Sequence, residues 1–172
     1  MTHCGRLKLR LSILAMAMLA LLGCSPELNW RTEHVGELST LMPCKPDRAT
    51  RTIVLSGQSV EMEMAGCEAA GALFTISRIE AQDSTQAQAL LDSLRTASLQ
   101  SVHTTSVKAT LGSGDAQEAL DVRADGSNPD GKAVQARIKW MIRDKAVYQV
   151  ATYAPHMQAQ AEENLFGEIR FP

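Results

Sequence analysis

Residues 60–67 read Val60-Glu61-Met62-Glu63-Met64-Ala65-Gly66-Cys67, an apolar and acidic alternation that decides what kind of chain this is. Side chains on a strand point to opposite faces in turn, so a strand puts Val60, Met62 and Met64 on one side and Glu61 and Glu63 on the other. A helix would scatter the same residues around its axis. The same period of two returns at 120–125, where Leu120, Val122 and Ala124 alternate with Asp121, Arg123 and Asp125. Further strands are predicted at 35–42, 51–55, 72–79, 105–111, 133–143 and 146–153. Ser56-Gly57-Gln58 and Asp144-Lys145 read as hairpin turns, and the stretch from Asp125 to Gly131 as a longer exposed connection. Short connections between alternating strands predict an antiparallel sheet with one wet face.

Two segments break this period. Asp83 is a helix cap with Gln86 three residues on, and Ala87, Leu90, Leu91, Leu94 and Ala97 then form an apolar stripe at helical spacing. A second helix is predicted from Pro155, with Met157, Ala161 and Leu165 on one face and a stop at Gly167. Ile169 and Phe171 fit a last short strand. Four strands, a helix, four strands and a helix make an α+β domain over 35–172, one largely antiparallel sheet packed by two main helices.

The N-terminus follows different rules. His3, Arg6, Lys8 and Arg10 form a basic leader without acidic residues, and 11–22 is an apolar run of 12 residues broken only by Ser12 and small alanines. That is a secretory pattern, too short for the roughly 20 residues of a membrane-spanning helix. The run ends Leu21-Leu22-Gly23-Cys24. In this the chain resembles bacterial lipoprotein precursors, whose lipobox ends in an obligatory cysteine. The resemblance implies a diacylglycerol thioether on Cys24, removal of residues 1–23 as signal peptide, and a membrane anchor through lipid. Ser25 after the cysteine implies sorting to the outer membrane, facing the periplasm. The competing reading is an ordinary secretory leader that happens to contain a cysteine. Residues 24–34, with Pro26 and Trp30, read as a lipidated tether, and Trp30 as docked on the domain.

Without the leader the chain has 14 Lys and Arg against 19 acidic residues, a balance that sets nucleic acid and anionic lipid aside as partners. Cys4 leaves with the leader and Cys24 is acylated, so Cys44 and Cys67 remain as an even pair in an exported, oxidising setting. A disulfide is expected there. A metal or redox pair is the rival, without a C-x-x-C or a histidine at ligand spacing to support it.

The order of elements, with Met42-Pro43-Cys44-Lys45-Pro46 leading the first hairpin, a central Leu90-Leu91-Asp92-Ser93-Leu94-Arg95 helix and Val147 to Tyr153 (VYQVATY) near the end, resembles the PsbP-like fold. The likeness spans most of the mature chain. It implies a binding or assembly scaffold and supplies no catalytic residue to carry over.

The chemistry in the sequence is sparse. No G-x-S-x-G elbow occurs, and Gly112-Ser113-Gly114 has the spacing of a turn rather than of a phosphate loop. His34, His103 and His156 fall in the tether, at a helix end and at a helix start. Asp125 to Gly131 lacks the alternating oxygen ligands and distal Glu of an EF-hand. Met62 and Met64 offer two thioethers on one strand face, a set that suits Cu(I), while the same alternation makes them core residues. The sequence therefore favours a non-enzymatic binding or assembly accessory of the cell envelope, with no cofactor and an envelope protein as partner. The alternatives are an envelope hydrolase with a site assembled from distant residues, and a periplasmic copper-binding protein using Met62 and Met64.

Overall fold

In the computed structural model, which describes residues 28–111 and 118–172, the alternating segments form nine strands: β1 (Arg31–Val35), β2 (Leu38–Met42), β3 (Asp47–Leu55), β4 (Gln58–Ala69), β5 (Ala72–Glu80), β6 (Ser106–Leu111), β7 (Glu118–Ser127), β8 (Ala133–Arg143) and β9 (Ala146–Ala154). Two helices join them, α1 (Ser84–Ser101) and α2 (Ala159–Gly167). The chain is α+β, as its sequence implies. Seven strands make one antiparallel sheet in the order β3-β4-β5-β9-β8-β7-β6, and β1 and β2 form a separate hairpin. The leader, Cys24 and Gly112-Ser113-Gly114 lie outside the described residues.

The prediction of one wet face needs correction. Alternate residues of the sheet feed two different cores. Met62, Ile79, Val147, Ala151, Ile138, Trp140 and Val122 pack under α1 on the first face. Ala65, Phe74, Ile76, Tyr148, Val150 and Met141 pack on the second, under the hairpin and α2. In β9 every residue but Tyr153 is buried, because this strand lies at the centre with cover on both sides. Only toward the sheet edges does a wet side appear, which is where the sequence alternates at 60–64 and 120–125.

On the first face, Asp83 Oδ1 accepts from the Gln86 amide at 2.8 Å, while Gln86 Oε1 accepts from the Gln82 amide at 2.6 Å. The first bond satisfies a donor that the opening helical turn leaves unpaired, and the second ties the chain just ahead of the cap to the helix. The buried stripe of α1 is Ala87, Leu90, Leu91, Leu94 and Ser98, with Ala97 exposed. Ser98 takes the core position because its hydroxyl donates to Gln149 Oε1 at 2.7 Å, beside the Trp140 Nε1–H at 2.8 Å. At the end of α1, Ser127 N donates to the Val102 carbonyl at 2.8 Å, so β7 runs directly against the helix terminus at Gly126.

On the second face the expected strand 35–42 is split by a tight turn. Gly36 has φ +55°, a backbone conformation that calls for glycine, and a Cβ there would also displace the Arg78 side chain and crowd the Tyr148 hydroxyl. The Tyr148 hydroxyl accepts from the Glu37 amide at 3.2 Å and pins the turn to the sheet. Residues 31–34, expected in the tether, thereby become β1, which lies over β4 and β5. Trp30 packs at the margin of this core. The second helix starts at Ala159 rather than Pro155. Met157 lies before it, with its amide donating to Gln135 Oε1, while Ala161 and Leu165 are buried as expected. The expected last strand is a single bridge, Ser39 to Arg170, with Ile169 and Phe171 packed against the core beside it.

Cys44 and Cys67 are disulfide-bonded, joining the chain after β2 to β4. With 23 residues of separation, the bond restricts the unfolded chain and is worth about 3 kcal/mol in the loop-entropy account. Replacing both cysteines with alanine is expected to lower unfolding free energy by that amount in urea titration, with the far-UV spectrum unchanged. A loss below about 1 kcal/mol would mean that the unfolded chain is already constrained there.

Candidate functional site

The residues singled out in the sequence do not converge. His34 is exposed on β1, His103 follows the end of α1, and His156 is exposed ahead of α2. Among the described residues no hydrogen bond joins a histidine side chain to a serine or a carboxylate. Met62 is buried in the core beneath α1 and Met64 packs at its margin. Cys67 belongs to the opposite core and is already bonded. Gly66 pairs in register with both Asp47 and Thr75, so β4 has no bulge that would turn Cys67 toward the methionines. Glu63 lies 4.0 Å from Arg78, on the second face as its parity requires.

Packed in and against the core, the methionines are replaceable by a side chain of similar volume. Met62→Leu and Met64→Leu are each expected to cost less than about 1.5 kcal/mol in urea titration. A copper site predicts instead tight Cu(I) binding by the purified domain, lost on either substitution without loss of fold.

A cluster that no motif announced occupies the second face of β6, β7 and β8. It arises because Asp121, Arg123 and Asp125 on β7 share a face with Arg137 and Lys139 on β8 and with Lys108 on β6. Arg137 holds Asp121 with two bonds, Nε to Oδ1 at 3.1 Å and Nη2 to Oδ2 at 2.7 Å. Its guanidinium lies over the Phe166 ring of α2, 4.2 Å from the centroid. Such bidentate, stacked geometry is specific to arginine. Burial holds the neighbouring Lys139 ammonium below the usual lysine range; Asp121 opposes that shift and Arg137 adds to it. Arg123 Nη2 bonds Glu162 Oε2 at 3.0 Å, which links the sheet to the first turn of α2.

Beside these pairs lies a cleft of about 240 Å³ lined by Ser106, Lys108, Arg123, Asp125, Gln135 and Met157. Both Asp125 oxygens are engaged, Oδ2 by the Ser106 hydroxyl at 2.9 Å and Oδ1 by Gln135 Nε2 at 3.3 Å. Asp121 is likewise committed to Arg137. The carboxylates therefore act as fixed supports. What the rim presents outward is the exposed Lys108 ammonium, beside the N–H groups of Arg123 that its bond to Glu162 leaves over, donors suited to carboxylates or other anionic groups on a partner. Elsewhere, burial pushes the Tyr153 hydroxyl up to about 12, outside the range of a general acid or base near neutral pH.

Charge alternation in β7 was visible in the sequence, but the register that brings Arg137 and Lys139 opposite it was not. Glu162 joins from α2, more than thirty positions later. Among the described residues no helix is long and apolar enough to cross a membrane, and no group of three or more His, Cys, Asp or Glu side chains is placed to hold a metal ion. No protein-family model matches the chain, and no curated protein matches it.

Proposed function

We propose that this chain is a lipoprotein of the cell envelope, anchored through Cys24 to the outer membrane and facing the periplasm, whose domain is a non-enzymatic binding or assembly accessory. The observation that carries the reading is the Cys44–Cys67 bond in a chain whose leader ends Leu21-Leu22-Gly23-Cys24. A structural disulfide belongs to an oxidising compartment, and the lipobox supplies both the export route and the anchor. The binding role draws support from the cleft at Lys108 and Arg123, where Asp125 and Glu162 are engaged internally and the Lys108 ammonium is exposed at the rim.

A photo-crosslinking residue at Thr110, exposed on β6 beside the cleft, tests the role in intact membranes. A discrete adduct is expected, lost when Lys108→Glu is added and kept when Arg51→Glu is placed on the opposite edge strand. An adduct indifferent to Lys108→Glu would remove the cleft from the binding surface.

A further inference from the structure

The distance from the anchor to the fold limits how this domain sits on its membrane. Cys24 is only four residues from Leu28, the first described residue, so the span between their Cα atoms is at most about 14 Å. The expected tether of 24–34 would have allowed more than twice that reach, but its last four residues belong to β1. Immediately after Leu28, the Asn29 amide donates to the Pro43 carbonyl, next to Cys44 and its bond to β4. The fold is therefore held by one corner, where β1 meets the start of β3 and the end of β4. Arg48 ties the same corner together, donating to the His34 carbonyl at 2.8 Å and to Glu33 at 2.7 Å.

Charge is distributed unevenly about that corner. From Lys45 to Leu55 the exposed chain carries Lys45, Arg48 and Arg51 against one acid, Asp47. Arg48 is paired with Glu33, which leaves Lys45, just ahead of the edge strand, and Arg51 on it exposed against the single carboxylate of Asp47. The net negative charge that sets anionic lipid aside for the molecule as a whole does not hold along this edge. A positive edge beside a lipid anchor faces the headgroup layer at short range, where basic side chains are attracted to anionic phospholipid.

We infer that β3, the edge strand that carries Arg48 and Arg51 and is preceded by Lys45, lies against the lipid headgroup surface, with the opposite edge strand β6 directed away from the membrane. The inference rests on the lipid anchor at Cys24. Ala49 on β3 and Leu111 on β6 are the two ends of one register row that crosses all seven strands. Six strand spacings put them about 29 Å apart. Both are exposed, so each accepts a label without disturbing the core. The orientation also places the Lys108 and Arg123 cleft on the distal limb of the sheet, open to a partner outside the membrane.

The test uses the full-length acylated protein in phosphatidylethanolamine and phosphatidylglycerol vesicles, carrying a nitroxide on Ala49→Cys or on Leu111→Cys. Flotation with the vesicles comes first, because protein left at the bottom of the gradient would overturn the anchor and the orientation with it. For floating protein, a headgroup-chelated nickel lipid is expected to relax the Ala49 label several-fold more than the Leu111 label. Lys45→Glu with Arg51→Glu is expected to shrink that difference while flotation persists. Equal relaxation at the two labels, or stronger relaxation at Leu111, would overturn the orientation and leave the anchor standing.

Discussion

Cells expressing the Cys24→Ser protein are expected to accumulate the uncleaved 172-residue chain, with no incorporation of labelled palmitate and no fractionation with the outer membrane. Serine has no thiol to form the thioether, and by likeness to lipoprotein precursors the signal peptidase that cuts after Gly23 acts on the lipidated cysteine. The effect is close to all-or-none. Each buried methylene contributes about 0.8 kcal/mol, and two acyl chains already give stable attachment. The domain itself should fold as before, since its first strand begins seven residues beyond Cys24. Labelling and fractionation of the variant against wild type check this, and a Cys24→Ser protein that still takes up label would end the anchoring argument.

Gly126→Ala is expected to destabilise the domain by upward of about 4 kcal/mol, enough to consume a large share of a typical domain's stability. A Cβ at this position would stand 2.0 Å from the Val102 carbonyl oxygen and 3.0 Å from that of His103. Both obstacles are backbone atoms at the end of α1, so no rotamer change relieves the contact. The helix end and β7 must separate, which breaks the Ser127 to Val102 bond and opens the core where Val102 is buried. Gly167→Ala is the control. Nothing stands within 4 Å of a Cβ there, and alanine in a helical turn is favoured over glycine by up to about 1 kcal/mol. Urea titration of the two variants should separate them clearly; a Gly126→Ala loss below about 1 kcal/mol would show that α1 and β7 are not locked together.

What could be read in the sequence follows from how local the cause is. The alternation of Val60, Met62 and Met64 with Glu61 and Glu63, and the Asp83 cap with Gln86, are set within a few residues, and both appear in the structure as read. Partners from distant strands were not legible. Ser98 sits in the core only because Gln149 and Trp140 meet it from β9 and β8, so the stripe at 87–97 misplaced Ala97 instead. The hairpin at Gly36 left only a faint trace, a slip of phase between Val35 and Leu38 and one glycine whose φ of +55° shows only in the folded chain. For the same reason the two-sided core was hidden. Strand alternation reports one face of a pair, whereas the burial of β9 depends on β1, β2 and α2 closing over the second face.

The charged cleft stands between these cases. Asp121, Arg123 and Asp125 were visible as the polar side of β7, and their grouping with Arg137 and Lys139 follows once register is known. Glu162 was beyond reach, since the apolar positions of α2 say how it packs without saying which strand its first turn meets.

The proposed anchor and the disulfide together require a mature protein that begins at an acylated Cys24 and has Cys44 bonded to Cys67. Intact-mass spectrometry of the protein extracted from membranes, alkylated without reductant, tests this in one measurement. Expected is the mass of residues 24–172 plus glyceride and acyl groups, with Cys44 and Cys67 unalkylated. An unlipidated chain, or a mature protein with both cysteines alkylated, would contradict it.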